Sequence, residues 1–492
     1  MTQIWQELLA DPTLLKSDLF IAGEWTPASD GSRRPVTNPA TGETIVSVAT
    51  ATLDDVKAAI AAAEGARKSW GWTTALDRAR ILRRWFTLIQ ENVDDLAAIL
   101  TLEQGKPLSE ARGEILYGAS FIEWFAEEGK RLYGETIPTN VPSRRLLTLR
   151  QPIGVTAAIT PWNFPMAMIA RKAGPALAAG CPMIIKPASE TPLSALAMVE
   201  LARRAGIPAG VLSVVVGNAI MIAGELTSSP IIRALSFTGS TEVGKKLLAD
   251  CAQTVKKVAM ELGGNAPVIV FDDADVDVAV AGTIASKFRN SGQTCVCANR
   301  IYVQSGIHNL FTEKLTEAVG QLRVGDGLNP ETSQGPLIND AAVQKVESHI
   351  ADAVAKGANI AFGGKRHALG GSFFEPTILT EVNAEMLVAV EETFGPLAAI
   401  FKFETESEAI ELANDSPFGL ASYFFTNDLA RTWRVAESLE AGVVGVNTGL
   451  ISYEGAPFGG VKESGIGREG SLHGIDEFLE IKYVCIDGIE NR

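Results

Sequence analysis

Between residues 154 and 260 the chain alternates short runs rich in β-branched and aliphatic residues with runs of helical periodicity. The runs Gly154–Ile159 and Met183–Lys186 are rich in β-branched and aliphatic residues. The run Met166–Ala178, which lies between them, has helical periodicity. This alternation is typical of parallel strands joined by crossover helices, which form one sheet covered on both faces. Doubly wound sheets of this kind bind ligands beyond the carboxyl ends of their strands. The sequence therefore predicts an α/β fold whose functional residues follow the strands.

A second α/β series begins after Gly263 and Gly264 and continues to about Val446. Before about residue 135 the pattern is instead mostly helical, with apolar residues at helical spacing. The helices predicted in that region are Leu53–Lys68, Leu76–Leu102 and Leu108–Leu132. Several domains are expected in a chain of 492 residues, because a single hydrophobic core rarely extends over so many residues.

Two segments fit neither α/β series. Arg144–Gln151 and Phe478–Ile486 both have the composition of strands, and we expect them to pair as an antiparallel ribbon. Such a ribbon leaves an apolar edge open, and an open edge of this kind is usually covered by another subunit. The sequence therefore predicts a homo-oligomer, either a dimer or a tetramer.

The composition excludes several kinds of partner. The chain has 43 Lys and Arg against 58 Asp and Glu, and the formal net charge of −15 argues against nucleic-acid binding. The N-terminal region lacks the basic and apolar segments of a signal peptide, and no apolar stretch is long enough to cross a membrane. Five cysteines in so long a chain form no disulfide framework. We therefore expect a cytoplasmic protein.

Because the four histidines are scattered singly, we expect neither a metal site nor a Ser-His-Asp relay. The clearest nucleophile is Cys295, in the glycine-containing loop 292–297 between a predicted helix and a predicted strand. A cysteine in such a loop can approach a substrate, although many free cysteines are buried packing residues. Cys297 is expected to point elsewhere, and a reversible disulfide with Cys295 is a further hypothesis.

Two other polar residues follow predicted strands. Glu261 comes after the run Val255–Met260 and precedes paired glycines, where a partly desolvated carboxylate can act as a general base for water. Asn163 lies in the proline-flanked turn Thr160–Pro165 and offers an amide donor suited to a developing oxyanion. A solvated strand-end acid and a helix-capping asparagine are the structural alternatives.

Two strand ends have features of phosphate binding. Gly239 and Ser240 follow one predicted strand, and Ser240 can cap the next helix, whose free N–H groups would face a phosphate. Lys186 and Ser189 follow another strand, where dinucleotide folds meet the adenosine ribose. The acid that would bind a free 2′-hydroxyl there is missing, so these residues favour NADP, with NAD as the second choice. A surface lysine with its charge in solvent is the structural alternative for Lys186.

Seven motifs occur in a fixed order along the chain. They are PWNFP at 161–165, KPAS at 186–189, FTGS at 237–240, ELGG at 261–264, GQTC at 292–295, EETFGP at 391–396 and PFGGVKESGIGRE at 457–469. Together they resemble the NAD(P)-dependent aldehyde dehydrogenase family over nearly the whole chain. The segment SKFRNSGQTCVCANR at 286–300 is most similar to the succinate-semialdehyde dehydrogenase group, with glutarate-semialdehyde dehydrogenases as near neighbours.

The resemblance implies a fold and a division into domains. It implies an aldehyde dehydrogenase-like α/β architecture in which residues 1–134 and 155–264 form a Rossmann-type NAD(P)-binding domain. Residues 265–477 would form an α/β catalytic domain. Residues 135–154 and 478–492 would form a small β ribbon for oligomerisation.

The resemblance also implies oxidation of a carboxylate-bearing semialdehyde to the dicarboxylic acid. Cys295 would attack the aldehyde carbon, the Asn163 amide would hold the oxyanion, and Glu261 would activate the water that hydrolyses the thioester. Residues at cofactor-contacting positions are Trp162, Lys186, Ser189, Gly239, Ser240, Leu262, Glu392 and Phe394. Residues at positions that hold the distal carboxylate are Arg171, Arg289 and Ser452.

Several alternatives stay open at this point. Succinate semialdehyde is the substrate favoured by the resemblance, and glutarate semialdehyde or a broader range of aldehydes are alternatives. Tyr453, beside Ser452, and to a smaller degree Met166 are larger than the residues expected there, which predicts a narrower substrate tunnel. A non-catalytic binding or structural protein on this fold is an alternative of another class. The joint presence of Cys295 and Glu261 favours the enzyme, and a reductase would not need Glu261.

Overall fold

The computed structural model describes residues 8–489, and none of the helices in that part of the chain is long and apolar enough to cross a membrane. The strands are β1 Leu19–Ile21, β2 Glu24–Thr26, β3 Arg33–Thr37, β4 Thr44–Ala49, β5 Thr136–Ile137, β6 Arg145–Pro152, β7 Val155–Ile159, β8 Met183–Lys186, β9 Leu212–Val214, β10 Ile232–Thr238, β11 Lys257–Glu261, β12 Ala266–Val270, β13 Ala298–Gln304, β14 Asn359–Phe362, β15 Thr377–Thr380, β16 Leu397–Phe403, β17 Phe418–Gly419, β18 Ala421–Phe425, β19 Val443–Val446, β20 Val461–Lys462, β21 Gly465–Ile466 and β22 Leu479–Ile486.

The α-helices are α1 Leu53–Trp72, α2 Ala75–Glu91, α3 Val93–Gln104, α4 Leu108–Glu128, α5 Ala167–Ala179, α6 Leu193–Ala205, α7 Ala219–Ser228, α8 Thr241–Ala252, α9 Val276–Lys287, α10 His308–Gly320, α11 Asp340–Ala355, α12 Leu387–Val390, α13 Glu406–Asn414 and α14 Leu429–Ser438. Short 3₁₀ turns include Arg289–Gly292, immediately before the loop that carries Cys295.

The first large sheet has the strand order β2-β1-β9-β8-β7-β10-β11-β21. Its five central strands, β7 to β11, are parallel to one another and give the order of a doubly wound sheet, whereas β1 and β21 flank them antiparallel. The direction of winding reverses between β7 and β10, which creates the crevice where such sheets bind ligands. Every residue of β7 and β8 is buried, as expected for strands with helices on both faces.

The second large sheet has the order β14-β15-β16-β13-β12-β18-β19 and is parallel except for β14 at its edge. The loop that contains Cys295 leads into β13, so Cys295 lies at the amino end of a central strand. Strand β21 returns to the first sheet, where Glu261 is paired with Gly465 and Met260 with Ile466. Through this return the C-terminal third of the chain contacts the strand that ends in Glu261.

A three-stranded sheet stands apart from both large sheets. Strands β6 and β22 pair antiparallel over their whole length, from Arg145 opposite Ile486 to Pro152 opposite Leu479, and β5 adds a third strand. Ile481 and Tyr483 on β22 are 70% and 57% exposed. Residues 490–492 of the predicted ribbon and residues 1–7 of the predicted first domain lie outside the described residues.

The helices expected between Leu53 and Leu132 are present as α1 to α4, but two features of the first 135 residues differ from the prediction. That region is not mostly helical at its start, because β1 to β4 lie between Leu19 and Ala49, and β1 pairs with β9. Three-residue strands show no period in sequence, and they are stable here because they add to an existing sheet. The predicted single helix 76–102 is two helices divided at Asn92, whose side-chain amide donates to the Leu88 carbonyl oxygen.

Candidate active site

Two adjoining cavities meet at Cys295. The first, of about 320 Å³, is lined by Cys295, by the carboxylates of Glu110 and Glu114, and by three cations, Lys106, Arg171 and Arg289. Because the cations outnumber the carboxylates, we call it the cationic cavity. The second, of 280 Å³, is lined by residues that follow the strands of the first sheet, and Cys295 lines it too. We call it the strand-end cavity. A thiol shared by two cavities can react with a group in one of them while facing a group in the other.

The strand-end cavity lies where the first sheet reverses its winding. Trp162 and Asn163 follow β7, and Gly239 and Ser240 follow β10, the two strands that border the reversal. Ser240 caps α8, as its sequence position predicted, because its hydroxyl accepts a hydrogen bond from the Val243 N–H. The free N–H groups of the first turn of α8 therefore face a cavity large enough for part of a dinucleotide.

Three further features fit an anionic dinucleotide. The Lys186 side chain is 4% exposed and forms no hydrogen bond or ion pair with any other described residue, and burial lowers the pKa of Lys186. A Cβ atom at Gly263 would lie 3.0 Å from a carboxylate oxygen of Glu392, so only glycine leaves this wall open. Ser189 is partly buried, and its hydroxyl donates to the Gly217 carbonyl oxygen over 3.4 Å.

Glu392 and Phe394 form the far wall of the strand-end cavity with Trp162. The Gly264 N–H donates to Glu392 Oε1 over 3.2 Å, and burial raises the pKa of Glu392 to about 7. The Phe394 ring contacts the Trp162 ring edge-on, with 5.5 Å between centroids, and Leu262 completes the wall. Lys345, which the sequence did not single out, also lines the cavity, and its ammonium donates to the Glu392 carbonyl oxygen.

Asn163 lines the strand-end cavity and is held there by hydrogen bonds at its side-chain amide and at its backbone carbonyl. Its side-chain amide donates to the Gln293 carbonyl oxygen over 3.0 Å, which ties the turn after β7 to the Cys295 loop. Its own carbonyl oxygen accepts hydrogen bonds from Lys106 Nζ at 2.7 Å and Asn290 Nδ2 at 3.0 Å. Asn163 does not cap the helix that follows, so the helix-capping role considered as its structural alternative is wrong.

The surroundings of Cys295 favour a neutral thiol. Burial raises the pKa of Cys295 to about 12, the charge of Arg171 opposes this rise, and the carboxylates of Glu392 and Glu261 add to it. The backbone N–H of Cys295 donates no hydrogen bond to another described residue. That N–H is therefore available to a ligand oxygen at the junction of the cavities.

Cys297 points away from Cys295. Its thiol is 1% exposed, and it accepts a hydrogen bond from Lys287 Nζ at 3.4 Å. The Cys297 thiol in turn donates to the Lys287 carbonyl oxygen at 3.3 Å. The proposed Cys295–Cys297 disulfide stays a prediction, and its formation would require these contacts of Cys297 to break.

Glu261 lies behind Cys295 and lines neither cavity. It is 4% exposed, and its Oε2 has no hydrogen-bond partner among the described residues. Burial and the negative charge of Glu469 raise the pKa of Glu261 well above its ordinary value, against the charges of Arg171 and Lys172. A carboxylate with a raised pKa is a stronger base towards water than an ordinary one.

The three residues predicted to bind the distal carboxylate of the substrate all line the cationic cavity: Arg171, Arg289 and Ser452. Arg171 is buried between the rings of Phe458 and Phe121, and its Nε lies 2.6 Å from Glu469 Oε2. Arg289 is half-buried against the Phe164 ring and forms no hydrogen bond or salt bridge with another described residue. The two arginines are therefore not equivalent, because Arg171 already has an anionic partner.

The expected narrowing of the tunnel by Tyr453 and Met166 is not what the structure shows. Tyr453 is 59% exposed and does not line the cationic cavity. Met166 is fully buried, with its sulfur against Gly118 on α4, and it does not line the cavity either. Sequence position cannot show this, because neighbours of a lining residue along the chain point in different directions.

No group of three or more His, Cys, Asp or Glu side chains placed to hold a metal occurs within residues 8–489. All five cysteines are free in the described structure.

The chain is similar in sequence and in structure to aldehyde dehydrogenases. The profile of the aldehyde dehydrogenase family matches residues 25–484. Glutarate-semialdehyde dehydrogenase of Pseudomonas aeruginosa is 61% identical over 481 residues, which cover 98% of this chain and 100% of that protein. The NADP(+) succinate-semialdehyde dehydrogenase of Escherichia coli is 60% identical over 478 residues, covering 97% and 99% respectively. A crystal structure of succinate-semialdehyde dehydrogenase from Burkholderia pseudomallei has a TM-score of 0.97 at 60% identity, covering 98% of this chain and 100% of that one.

Proposed function

This chain belongs to the aldehyde dehydrogenase family, and we propose that it oxidises a carboxylate-bearing semialdehyde, with succinate semialdehyde preferred, to the dicarboxylate. The observation that carries the proposal is the position of Cys295, which lines the cationic cavity and the strand-end cavity at once. An aldehyde in the first cavity and a nicotinamide in the second would then meet at the same sulfur atom.

Cys295 is the nucleophile. Its thiol gives up its proton to solvent, the resulting thiolate attacks the aldehyde carbon, a C–S bond forms, and the carbonyl oxygen becomes the oxyanion of a thiohemiacetal. The Cys295 N–H, which has no partner among the described residues, and the Asn163 amide at the same junction donate to this oxyanion. For that, Asn163 keeps or exchanges its present hydrogen bond to the Gln293 carbonyl.

NAD(P), when bound, supplies the hydride acceptor for the oxidation of the thiohemiacetal to a thioester. The residues that would hold it are those of the strand-end cavity and the strand ends beside it, including Trp162, Lys186, Ser189, Gly239, Ser240, Leu262, Glu392 and Phe394. We propose NADP as the preferred form, since Lys186 is a buried cation without an ion-pair partner in the described chain. The relative from Escherichia coli is named for NADP(+) as well.

Glu261 is the base for hydrolysis. It takes a proton from water, the hydroxide adds to the thioester carbon, and the C–S bond breaks to release the carboxylic acid and Cys295. Since its side chain lines neither cavity in this conformation, Glu261 has to turn towards Cys295 for this step. Its unpartnered Oε2 leaves that rotation without a hydrogen bond to break at this atom.

The substrate class follows from the charge of the cationic cavity. A distal carboxylate would accept hydrogen bonds from Arg289 and from the free donors of Arg171 and Ser452, and charge-assisted bonds of this kind are strong in a dry pocket. Glutarate semialdehyde is the second candidate, because one methylene changes binding by only about 1–3 kcal/mol. The 61% identical relative is a glutarate-semialdehyde dehydrogenase.

We further propose that β22 is covered by another copy of this chain in a dimer or tetramer, because its side chains are exposed along an open edge. The proposed domain division keeps the boundaries given above, and β21 contributes to the sheet of the first domain. The proposed compartment is the cytoplasm, where thiols such as those of the five free cysteines stay reduced.

A kinetic panel tests the proposed function. Succinate semialdehyde, glutarate semialdehyde, butanal and benzaldehyde are each assayed with NADP and with NAD. We expect kcat/KM for succinate semialdehyde to exceed that for butanal by at least about 10-fold, the size of one charge-assisted hydrogen bond. Equal values for the acid-bearing and neutral aldehydes would refute the proposed substrate class. An absence of turnover with every aldehyde would favour the non-catalytic alternative.

A further inference from the structure

Some hydrogen-bond donors in the walls of the cationic cavity have no partner among the described residues, although Glu110 and Glu114 also line it. Arg171 Nη2 is buried and has no hydrogen-bond partner among the described residues, and Arg289 forms no hydrogen bond within that part of the chain. Buried donors of this kind are costly unless a ligand satisfies them. An anionic acceptor is the ligand chemistry that these donors fit.

One more donor in this wall has no role in the mechanism. Tyr117 lies on α4, lines the cationic cavity, and packs its ring edge-on against Phe121 with 5.0 Å between centroids. Its hydroxyl oxygen is buried and has no hydrogen-bond partner among the described residues. Buried tyrosine hydroxyls usually have a partner, so an unpartnered one beside a ligand cavity points to a ligand atom.

The surroundings of Tyr117 agree with a role as a neutral donor. Burial raises the pKa of Tyr117, while the charge of Arg171, a side-chain hydrogen-bond interaction with Ser452 and the charge of Arg289 oppose that rise. The phenol thus stays protonated at neutral pH and lies next to all three residues that are proposed to read the carboxylate. A protonated phenol can donate one short hydrogen bond to a carboxylate oxygen.

We propose that Tyr117 is a specificity-determining residue whose hydroxyl donates a hydrogen bond to the distal carboxylate of the substrate. This inference rests on the proposed oxidation of a carboxylate-bearing aldehyde. It assigns the selectivity for acid-bearing aldehydes to the Tyr117 hydroxyl as well as to Arg171 and Arg289. Ser452, which lines the same cavity, acts on the Tyr117 hydroxyl, and the hydroxyl can turn from Ser452 to a carboxylate oxygen when a substrate with a distal acceptor is bound.

The test is Tyr117→Phe, which removes the hydroxyl and keeps the ring that packs on Phe121. kcat and KM are measured for succinate semialdehyde and for butanal, which has the same chain length without the carboxylate. We expect KM for succinate semialdehyde to rise by about 10-fold to 100-fold with kcat nearly unchanged, and both constants for butanal to stay within about 2-fold.

Tyr423→Phe is the matched control. The Tyr423 hydroxyl donates to the Val296 carbonyl oxygen over 2.8 Å, beside Cys295, and Tyr423 does not line the cationic cavity. Removal of that hydroxyl disturbs the Cys295 loop. We therefore expect kcat/KM to change by the same factor for succinate semialdehyde and for butanal. The contrast between the two tyrosine variants separates recognition of the carboxylate from positioning of the loop.

The outcomes distinguish the inference from the proposed function. If the unmodified enzyme prefers succinate semialdehyde and Tyr117→Phe keeps that preference, the inference about Tyr117 is overturned and the proposed function stands. Equal losses for both aldehydes in Tyr117→Phe also overturn the inference, because they indicate a structural role. If the unmodified enzyme shows no preference for the acid, the proposed substrate class fails, and the role of Tyr117 fails with it.

Discussion

Arg171 Nε lies 2.6 Å from Glu469 Oε2, so one of the two arginines expected to bind substrate already forms a buried ion pair. Both side chains are almost completely buried, and Lys172 also donates to Glu469. Although burial acts in the opposite direction, the charges of Arg171 and Lys172 lower the pKa of Glu469 below its ordinary value. Glu469 is therefore an anion that fixes Arg171 in place.

This pairing predicts different phenotypes for the two arginines. Arg289→Ala should raise KM for succinate semialdehyde by about 10-fold or more and leave butanal nearly unchanged, because Arg289 forms no salt bridge within residues 8–489. Arg171→Ala should impair both substrates, because it leaves Glu469 with only Lys172 as a buried counter-ion. Steady-state kinetics with the two aldehydes check both expectations. Identical selectivity changes in the two variants would contradict the distinction.

Cys295→Ala should abolish aldehyde oxidation, with a loss of at least about 10⁴-fold in kcat, because no other thiol lines the two cavities. Cofactor binding, measured by fluorescence titration with NADPH, should stay near that of the unmodified protein. Cys297→Ala is the matched control and should retain turnover. Substantial oxidation by Cys295→Ala would remove Cys295 as the nucleophile.

Alkylation of Cys295 in the cofactor-free protein should depend steeply on pH. Since burial raises its pKa to about 12, the thiol is the main form at pH 7, and the reactive thiolate fraction rises with pH. The rate of labelling by iodoacetamide should therefore increase about tenfold per pH unit between pH 7 and pH 10. Peptide mass spectrometry locates the label at Cys295. A plateau of the rate below pH 9 would show that the thiolate is stabilised in the free protein.

The buried pair of Lys106 and Glu114 should matter for stability and for the position of Asn163. Lys106 Nζ lies 2.6 Å from Glu114 Oε2, and both side chains are 1% exposed. Lys106→Met leaves a buried carboxylate unpaired and should lower the free energy of unfolding by about 3–5 kcal/mol. The double variant with Glu114→Gln should recover part of that loss. Urea unfolding measures both, and a Lys106→Met variant as stable as the unmodified protein would contradict the prediction.

Lys186→Ala should reduce kcat/KM for NADP by about 10-fold or more and affect NAD less, since the lysine is assigned to a phosphate group. The unmodified protein should itself prefer NADP. Lys256→Ala is a useful comparison, because Lys256 is also a buried lysine but already donates to the Ile232 carbonyl oxygen. A kcat/KM ratio in favour of NAD for the unmodified protein would refute the cofactor assignment.

Much of the fold could be predicted because its features are local. The β-type runs around β7, β8 and β10 and the helices between them repeat at short range, and Ser240 has the sequence position and residue type of a helix cap. The short strands β1 and β2 could not be predicted, because β1 is stabilised by pairing with β9 and β2 by pairing with β1, and their own three residues do not stabilise them. The division of 76–102 at Asn92, where the side-chain amide donates to the Leu88 carbonyl oxygen, was likewise not predicted.

For the candidate site, the sequence by itself determined which residue types carry the chemistry: the Cys295 loop, the carboxylate of Glu261, the amide of Asn163 and the strand-end turns. Only the tertiary structure decided their environment. It gave Arg171 an anionic partner in Glu469, left Arg289 without one, and placed the unpartnered hydroxyl of Tyr117 beside the cationic cavity. The physical reason is distance along the chain, because which side chains share a low-dielectric cavity depends on the packing of distant elements, whereas turns and caps depend on neighbours a few residues away.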